Sequence, residues 1–150
     1  MFEIDTPIQQ SHVMPIVVGA HLRAELCDRR RAMFLQQSIA TWMQEQDIAD
    51  PPWPLVCSDL WYLNDTELRV QPTICIGDPD VNAATAALSS KLETVHLEED
   101  LFRIQLDPEF IDLKCCIWGV DDAGTQTGMD YFVIEYLHHF LGSIFGIKIT

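Results

Sequence analysis

Four short polar segments follow strand-like runs in this chain, and they carry the residue types that chemistry at the rim of a sheet needs. They are Gly19-Ala20-His21-Leu22-Arg23, Ser58-Asp59, Gly77-Asp78-Pro79-Asp80-Val81-Asn82, and Gly119 through Thr125. In an open α/β sheet the ligand crevice lies beyond the carboxyl ends of the strands, so parallel strands would gather all four segments at one rim. Carboxylates placed there suit a hard cation such as Mg²⁺, which takes oxygen ligands and leaves positions for water or phosphate. On this reading Asp59, Asp78 or Asp80, and Asp121 or Asp122 position an ion or a ribose, and His21 and Asp59 are the catalytic pair. Gly19, Arg23, Gly77, Asp78, Asn82, Asp121 and Thr125 would then hold the ligand. The spacing matches no metal family, so no metal ligand is assigned and no cofactor is named.

The turn Gly77–Asn82 also has a purely structural account. Asp78 suits the N-cap of a helix, Pro79 its first residue, and Asp80 the positive end of its dipole. Two carboxylates beside a single glycine repel a bare phosphate, which makes an anion cradle the weakest of the readings. Similarly, Thr127 and Asp130 resemble a capping box ahead of the last helix. Trp61, Tyr62 and Trp118 suit either the walls of a ligand pocket or a seal over the core.

Other catalytic patterns fit less well. The run after Gly19 lacks the remaining glycines of a dinucleotide fingerprint, and Ser58 lacks the glycine-flanked elbow of a nucleophilic serine. A thiol at Cys57 could face His21, but packing is the stronger expectation. His138 and His139 adjoin on a helix, so their side chains should diverge by about 100° and not chelate one ion together.

The elements that must position these residues alternate between strand and helix. Pro15–Gly19, Leu55–Cys57, Thr73–Ile76 and Cys115–Gly119 read as buried strands, and Leu101–Leu106 as a half-exposed strand at a sheet edge. Val81, Ala84, Leu88 and Leu92 recur at helical spacing, as do Met129, Phe132, Val133, Tyr136, Leu137, Phe140, Leu141 and Ile144. His21–Gln46 is helical but two-sided: Leu22, Leu26 and Met33 line one face, whereas Ala32, Leu35, Ile39 and Trp42 line another. Such a helix either breaks near Arg29–Arg31 or is covered from two directions, the second option implying a partner subunit. The pattern predicts a single-domain three-layer α/β sandwich with a mainly parallel, Rossmann-like sheet of about five strands. Residues 74–88, "ICIGDPDVNAATAAL", resemble the strand, glycine turn and helix of Rossmann-like nucleotide- or sugar-binding proteins. They lack the second glycine of that group, and the resemblance assigns no residue a role.

Composition narrows the function classes. The chain has 150 residues, 48% of them hydrophobic, and a formal net charge of −14. With only nine lysines and arginines it is poorly suited to neutralising phosphates, so nucleic acid is not an expected partner. Four of the nine, Arg23 and Arg29–Arg31, sit in one helical stretch, where Glu25 and Asp28 are spaced to pair with them. No run approaches the roughly 20 apolar residues of a membrane span, and "MFEIDTPIQQ" has no signal-peptide pattern, so the expected setting is the cytoplasm without membrane contact. Five cysteines without C-x-x-C spacing suggest reduced, buried side chains. Two functions remain in view. One is a non-catalytic or regulatory α/β module that binds a small molecule or forms a homo-oligomer; the other is a hydrolase or transferase acting on a nucleotide or phosphosugar at the rim, with Mg²⁺ assistance.

Overall fold

A computed structural model describes residues 12–149. Six strands form one sheet: β1 (Val13–Val18), β2 (Trp53–Ser58), β3 (Thr73–Ile76), β4 (Glu93–Glu98), β5 (Phe102–Leu106) and β6 (Lys114–Gly119), in the order β2-β1-β3-β6-β5-β4. The first four in that order run parallel, while β5 is antiparallel to β6, and β4 to β5. The expected parallel sheet is therefore present as a four-stranded half, extended by an antiparallel hairpin. β4 is the strand that the sequence pattern does not disclose. As the outermost strand it exposes Glu93, Thr94, Leu97 and Glu98, so no burial-driven alternation marks it. Phe102, Ile104 and Leu106 of β5 are buried because β5 lies one strand in from the edge.

Alternating side chains of the strands feed two cores. On one face Met14, Ile16, Val18, Ile74, Ile76 and Ile117 pack with Ala32, Leu35, Ile39 and Met43 of α1 (Arg29–Glu45), Met129 and Phe132 of α5 (Asp122–Glu135), and Phe140 and Leu141 of α6 (Leu137–Phe145). On the other, Val13, Val17, Cys57, Cys75 and Cys116 meet Tyr62 of α2 (Asp59–Leu63), Leu68 of α3 (Thr66–Arg69) and Ala84 of α4 (Ala83–Leu88). The Tyr62 hydroxyl is satisfied inside this second core by Thr73 Oγ1 at 3.0 Å. Burying a side chain of this size contributes about 1.5–3 kcal/mol, so both layers of helices are held chiefly by these contacts.

The two-sided helix has a local cause. Ala24–Asp28 forms a π-helical turn before α1 begins, and the wider turn shifts the phase of every residue that precedes it. Only the face containing Ala32, Leu35, Ile39 and Met43 reaches the sheet; Leu22, Leu26, Met33 and Phe34 stay exposed. The last helix is likewise two segments. Tyr136, with φ −123° and ψ −30°, separates α5 from α6, and Gly146 in the left-handed region ends α6. Beyond it Ile147 N donates to Gly142 O at 2.8 Å, so the terminal apolar segment folds back on α6 and adds no strand. His138 and His139 also depart from expectation, with ring centroids 4.3 Å apart. Diverging Cβ directions do not fix where χ1 and χ2 aim the rings, and burial together with His139 holds the His138 imidazole below its ordinary pKa.

Cys57, Cys75, Cys115 and Cys116 are buried and Cys27 is half-buried. Burial pushes the Cys57 thiol up to about 12, far from a reactive thiolate. Ellman's reagent at pH 8 should therefore titrate Cys27 alone in the native protein and all five thiols in urea. Rapid reaction of two or more native thiols would contradict this packing.

Candidate functional site

The parallel strands do bring the four polar segments to one rim. Between β1 and β3 the chain leaves the sheet toward opposite faces: β1 leads to α1, whereas β3 leads to α4. This is the point of a doubly wound sheet where a ligand crevice opens. Here the chain fills that crevice with its own residues.

Asn82 is fully buried at this point. Its amide nitrogen donates to Val17 O at 3.0 Å and Ile76 O at 2.9 Å, the last carbonyls but one of β1 and the last of β3. Its amide oxygen accepts from Ala84 N at 2.9 Å and Thr85 N at 3.3 Å, which makes Asn82 the N-cap of α4. An amide has two donors and two acceptor positions, and all four are used. Asp59 completes the clamp, its Oδ1 accepting from Ala20 N at 3.1 Å and its Oδ2 from Ala83 N at 2.7 Å. The carboxylate thus ties the loop after β1 to the start of α4 and is itself buried.

The remaining rim residues are also engaged in local structure. Gly19 lies against the Val81 carbonyl so closely that any Cβ would occupy the same space. Gly77 has φ 111°, a region that side chains rarely adopt, and a Cβ there would stand 2.8 Å from Asp28 Oδ2. Asp78 does not cap the helix; its Oδ1 accepts from Asp80 N at 2.8 Å, forming a turn that delays the helix start to Asn82. Asp121 is the N-cap of α5, accepting from Gly124 N at 2.7 Å. The Thr125 hydroxyl accepts from Gly119 N and donates to Asp121 O, both at 3.0 Å. Thr127 lies inside α5 and donates to Ala123 O, so the helix begins five residues before the capping box that the sequence suggested. Ser58 caps α2 by accepting from Trp61 N at 3.2 Å. His21 and Arg23 stay exposed, with His21 Nδ1 accepting from Arg23 N at 3.2 Å.

Arg23, Gly77, Asp78 and Thr125 do meet around one crevice, together with Cys27, Asp28, Val81 and Asp122, but its volume is about 10 Å³. That is the lower limit for a single water molecule. No group of three or more His, Cys, Asp or Glu side chains suited to a metal ion occurs among the described residues.

Sequence reasoning missed Arg31, a buried guanidinium beneath this rim. It donates to Asp28 Oδ1 at 2.6 Å, Gln126 Oε1 at 2.9 Å and Asp122 O at 3.0 Å, and also pairs with the Asp122 carboxylate. Burial outweighs the Arg31 pair at Asp28 and holds that carboxyl above its ordinary range, whereas the same guanidinium holds the exposed Asp122 carboxyl below it. Asp28 and Arg31 are spaced for pairing in the sequence; their burial follows from the distant Gln126 and Asp122. Glu25 and Arg29, at 2.8 Å, form the exposed pair.

Two larger concavities flank the filled crevice. A groove of about 650 Å³ is lined by Asp78–Asp80, Leu97–Arg103 and Trp118–Val120, with the Arg103 guanidinium 5.3 Å from the centre of the Trp118 ring. A cleft of about 380 Å³ lies between the first helical unit and α5, where Leu26, Arg30 and Phe34 face Gln126 and Met129. Leu22, Leu26, Met33 and Phe34 are 73%, 59%, 55% and 58% exposed. Trp61 stands on α2, outside both concavities.

No family model, no curated protein and no solved structure matches this chain.

Removing the Asn82 side chain would leave the buried Val17 and Ile76 carbonyls without their amide donor and uncap α4. Asn82→Ala should therefore lower the unfolding free energy by about 3 kcal/mol or more, measured by urea denaturation with an unchanged slope. A loss below about 1 kcal/mol would mean that the amide is dispensable to the fold and free for another role.

Proposed function

We propose that this protein is a non-catalytic α/β module that acts through its surface by associating with a second copy of itself. The observation that carries the reading is the contrast between the switch point and the first helix. At the strand ends, where a Rossmann-like domain would bind its ligand, the side chains of Asp59, Asn82, Asp121 and Thr125 are committed to hydrogen bonds within the chain. The first helical unit instead displays Leu22, Leu26, Met33 and Phe34 to solvent. Leu26, Arg30 and Phe34 line one cleft at spacings of four, with the Arg30 cation between the two apolar side chains and Met33 next to Phe34 in the chain, and together they form a ridge. Single exposed leucines are ordinary, but four exposed apolar side chains on one helical unit beside a cleft are the usual mark of an interaction site.

A buried ridge of this kind gives favourable free energy on association through the same apolar transfer that holds the core. Its charged border then decides partner and register more than affinity. Phe34 is the aromatic anchor of the stripe, the type of side chain around which binding energy concentrates.

The reading is tested by sedimentation velocity over a concentration series. The wild-type chain should associate to a dimer by about 100 μM, a weak complex of roughly 5–6 kcal/mol. Phe34→Asp should weaken association at least 30-fold, equivalent to about 2 kcal/mol, without lowering the melting temperature appreciably, since the residue is exposed. A wild-type chain that stays monomeric throughout would overturn the proposal.

A further inference from the structure

The self-association proposed above leaves open which surface receives the apolar ridge, and the distribution of charge supplies an answer. The chain as a whole is strongly acidic, yet the ridge segment is not. Between residues 22 and 34, Arg23, Arg29, Arg30 and Arg31 outnumber Glu25 and Asp28. Arg31 lies between the buried Asp28 and the exposed Asp122, which also lines the ridge cleft, and Arg29 is paired with Glu25. The four arginines therefore exceed the three carboxylates, and the exposed Arg23 and Arg30, in no ion pair among the described residues, leave the ridge surface net positive. The 650 Å³ groove has the opposite character. Its lining carries Asp78, Asp80, Glu98, Glu99 and Asp100 against the single cation Arg103, which lies over Trp118. Between the carboxylates stand apolar side chains that are themselves exposed: Leu97, Leu101 and Val120.

Ridge and groove are neighbours. Asp78 lines both the groove and the small crevice that Arg23 also lines. Val120 lines the groove, and Asp122, two residues on, is bound by Arg31 of the helix. Both surfaces therefore occupy the C-terminal rim side by side, with the filled switch point between them.

We infer that the protein forms a two-fold dimer in which the ridge of each copy, centred on Leu26, Arg30 and Phe34, docks into the acidic groove of the other. Two-fold pairing is the commonest closed arrangement, and it makes every contact reciprocal: ridge to groove, and groove to ridge. A dimer joined ridge to ridge would set Arg23 and Arg30 against their own copies, and one joined groove to groove would oppose two sets of carboxylates. Like charges facing across an interface cost several kcal/mol, so the crossed arrangement is the one that complements. A stable interface buries about 800 Å² per partner, so ridge and groove have to engage together, each copy contributing both. The groove volume lies within the roughly 300–1,000 Å³ that accepts a sizeable apolar group, which leaves room for helix-borne leucine and phenylalanine side chains.

The crossed geometry makes an unusual demand that charge reversal can test. One variant carries Arg23→Glu and Arg30→Glu, making the ridge acidic; a second carries Asp80→Lys, Glu98→Lys and Glu99→Lys, leaving the groove two carboxylates against four cations. All five positions are exposed, and thermal melts should show both variants folded. If the Asp80 change disturbs its turn, Glu98→Lys with Glu99→Lys neutralises the groove without touching that turn and tests the loss of the variant's own dimer. In sedimentation velocity each variant alone should dissociate at least 30-fold more readily than wild type, and an equimolar mixture should recover a dimer, because both of its contacts are again between opposite charges. A variant that remains dimeric on its own, a mixture that remains monomeric, or a mixture that grows beyond a dimer would each overturn the crossed two-fold arrangement. A wild-type dimer indifferent to these changes removes this inference alone, whereas a wild-type monomer removes the proposed function with it.

Discussion

Everything at the rim of this sheet depends on the saturation of one amide. Asn82 links the carbonyl ends of β1 and β3 through its nitrogen and starts α4 through its oxygen, at the place where the chain departs to opposite faces. A buried amide with four partners is fully compensated for its lost hydration, and removing any partner leaves a polar group stranded in the interior. The position of the Gly77–Asn82 loop follows from this requirement, and so does the contact between Val81 and Gly19. Asp59 acts in the same sense, answering backbone N–H groups from two other segments. Where an open α/β sheet can leave room for a ligand, this chain commits Asn82 and Asp59 to its own backbone.

A second consequence concerns the neighbouring helices. Beside the closed crevice, Arg31 joins Asp28 of the first helical unit to Gln126 and Asp122 of α5. That network fixes α5 against the start of α1. It also fixes the phase of the π-helical turn, because Arg31 must point inward just after it. The outward face of the same turn then holds Leu26, with Leu22 just before it, so the apolar ridge and the buried ion network are two sides of one distortion.

Much of this was legible in the amino-acid order, and the exceptions have physical reasons. Three of the parallel strands, β1, β3 and β6, stand out because burial on both faces leaves continuous runs such as Ile16-Val17-Val18 and Cys115-Cys116-Ile117. β4 does not, since an exposed edge strand imposes no alternation on its residues. The conflicting faces of the first helix were visible, but a helical wheel assumes 3.6 residues per turn and cannot tell a π-helical turn from a second covering partner. At the rim, the segment Asp78-Pro79-Asp80-Val81-Asn82 contains two acceptable helix caps. Local signals favoured Asp78; the carbonyls of β1 and β3, distant in sequence, select Asn82. Residue types therefore located the rim, while the partners of each side chain, which decide between ligand contact and self-contact, come from distant segments, 65 positions away for Asn82 and 91 for Asp122.

The two outer strands show how such a sheet stays finite. β2 carries Pro54, which has no N–H to offer another strand, and its carbonyl is already taken by Gln36 Nε2 at 2.6 Å. β4 presents Glu93 and Glu98 to solvent, near its two ends. Lateral growth by strand addition is thus discouraged at both borders, one by missing donors and the other by charge. A chain built this way can be crowded without polymerising into fibrils, and any ordered assembly it forms has to be made by side chains instead of backbone.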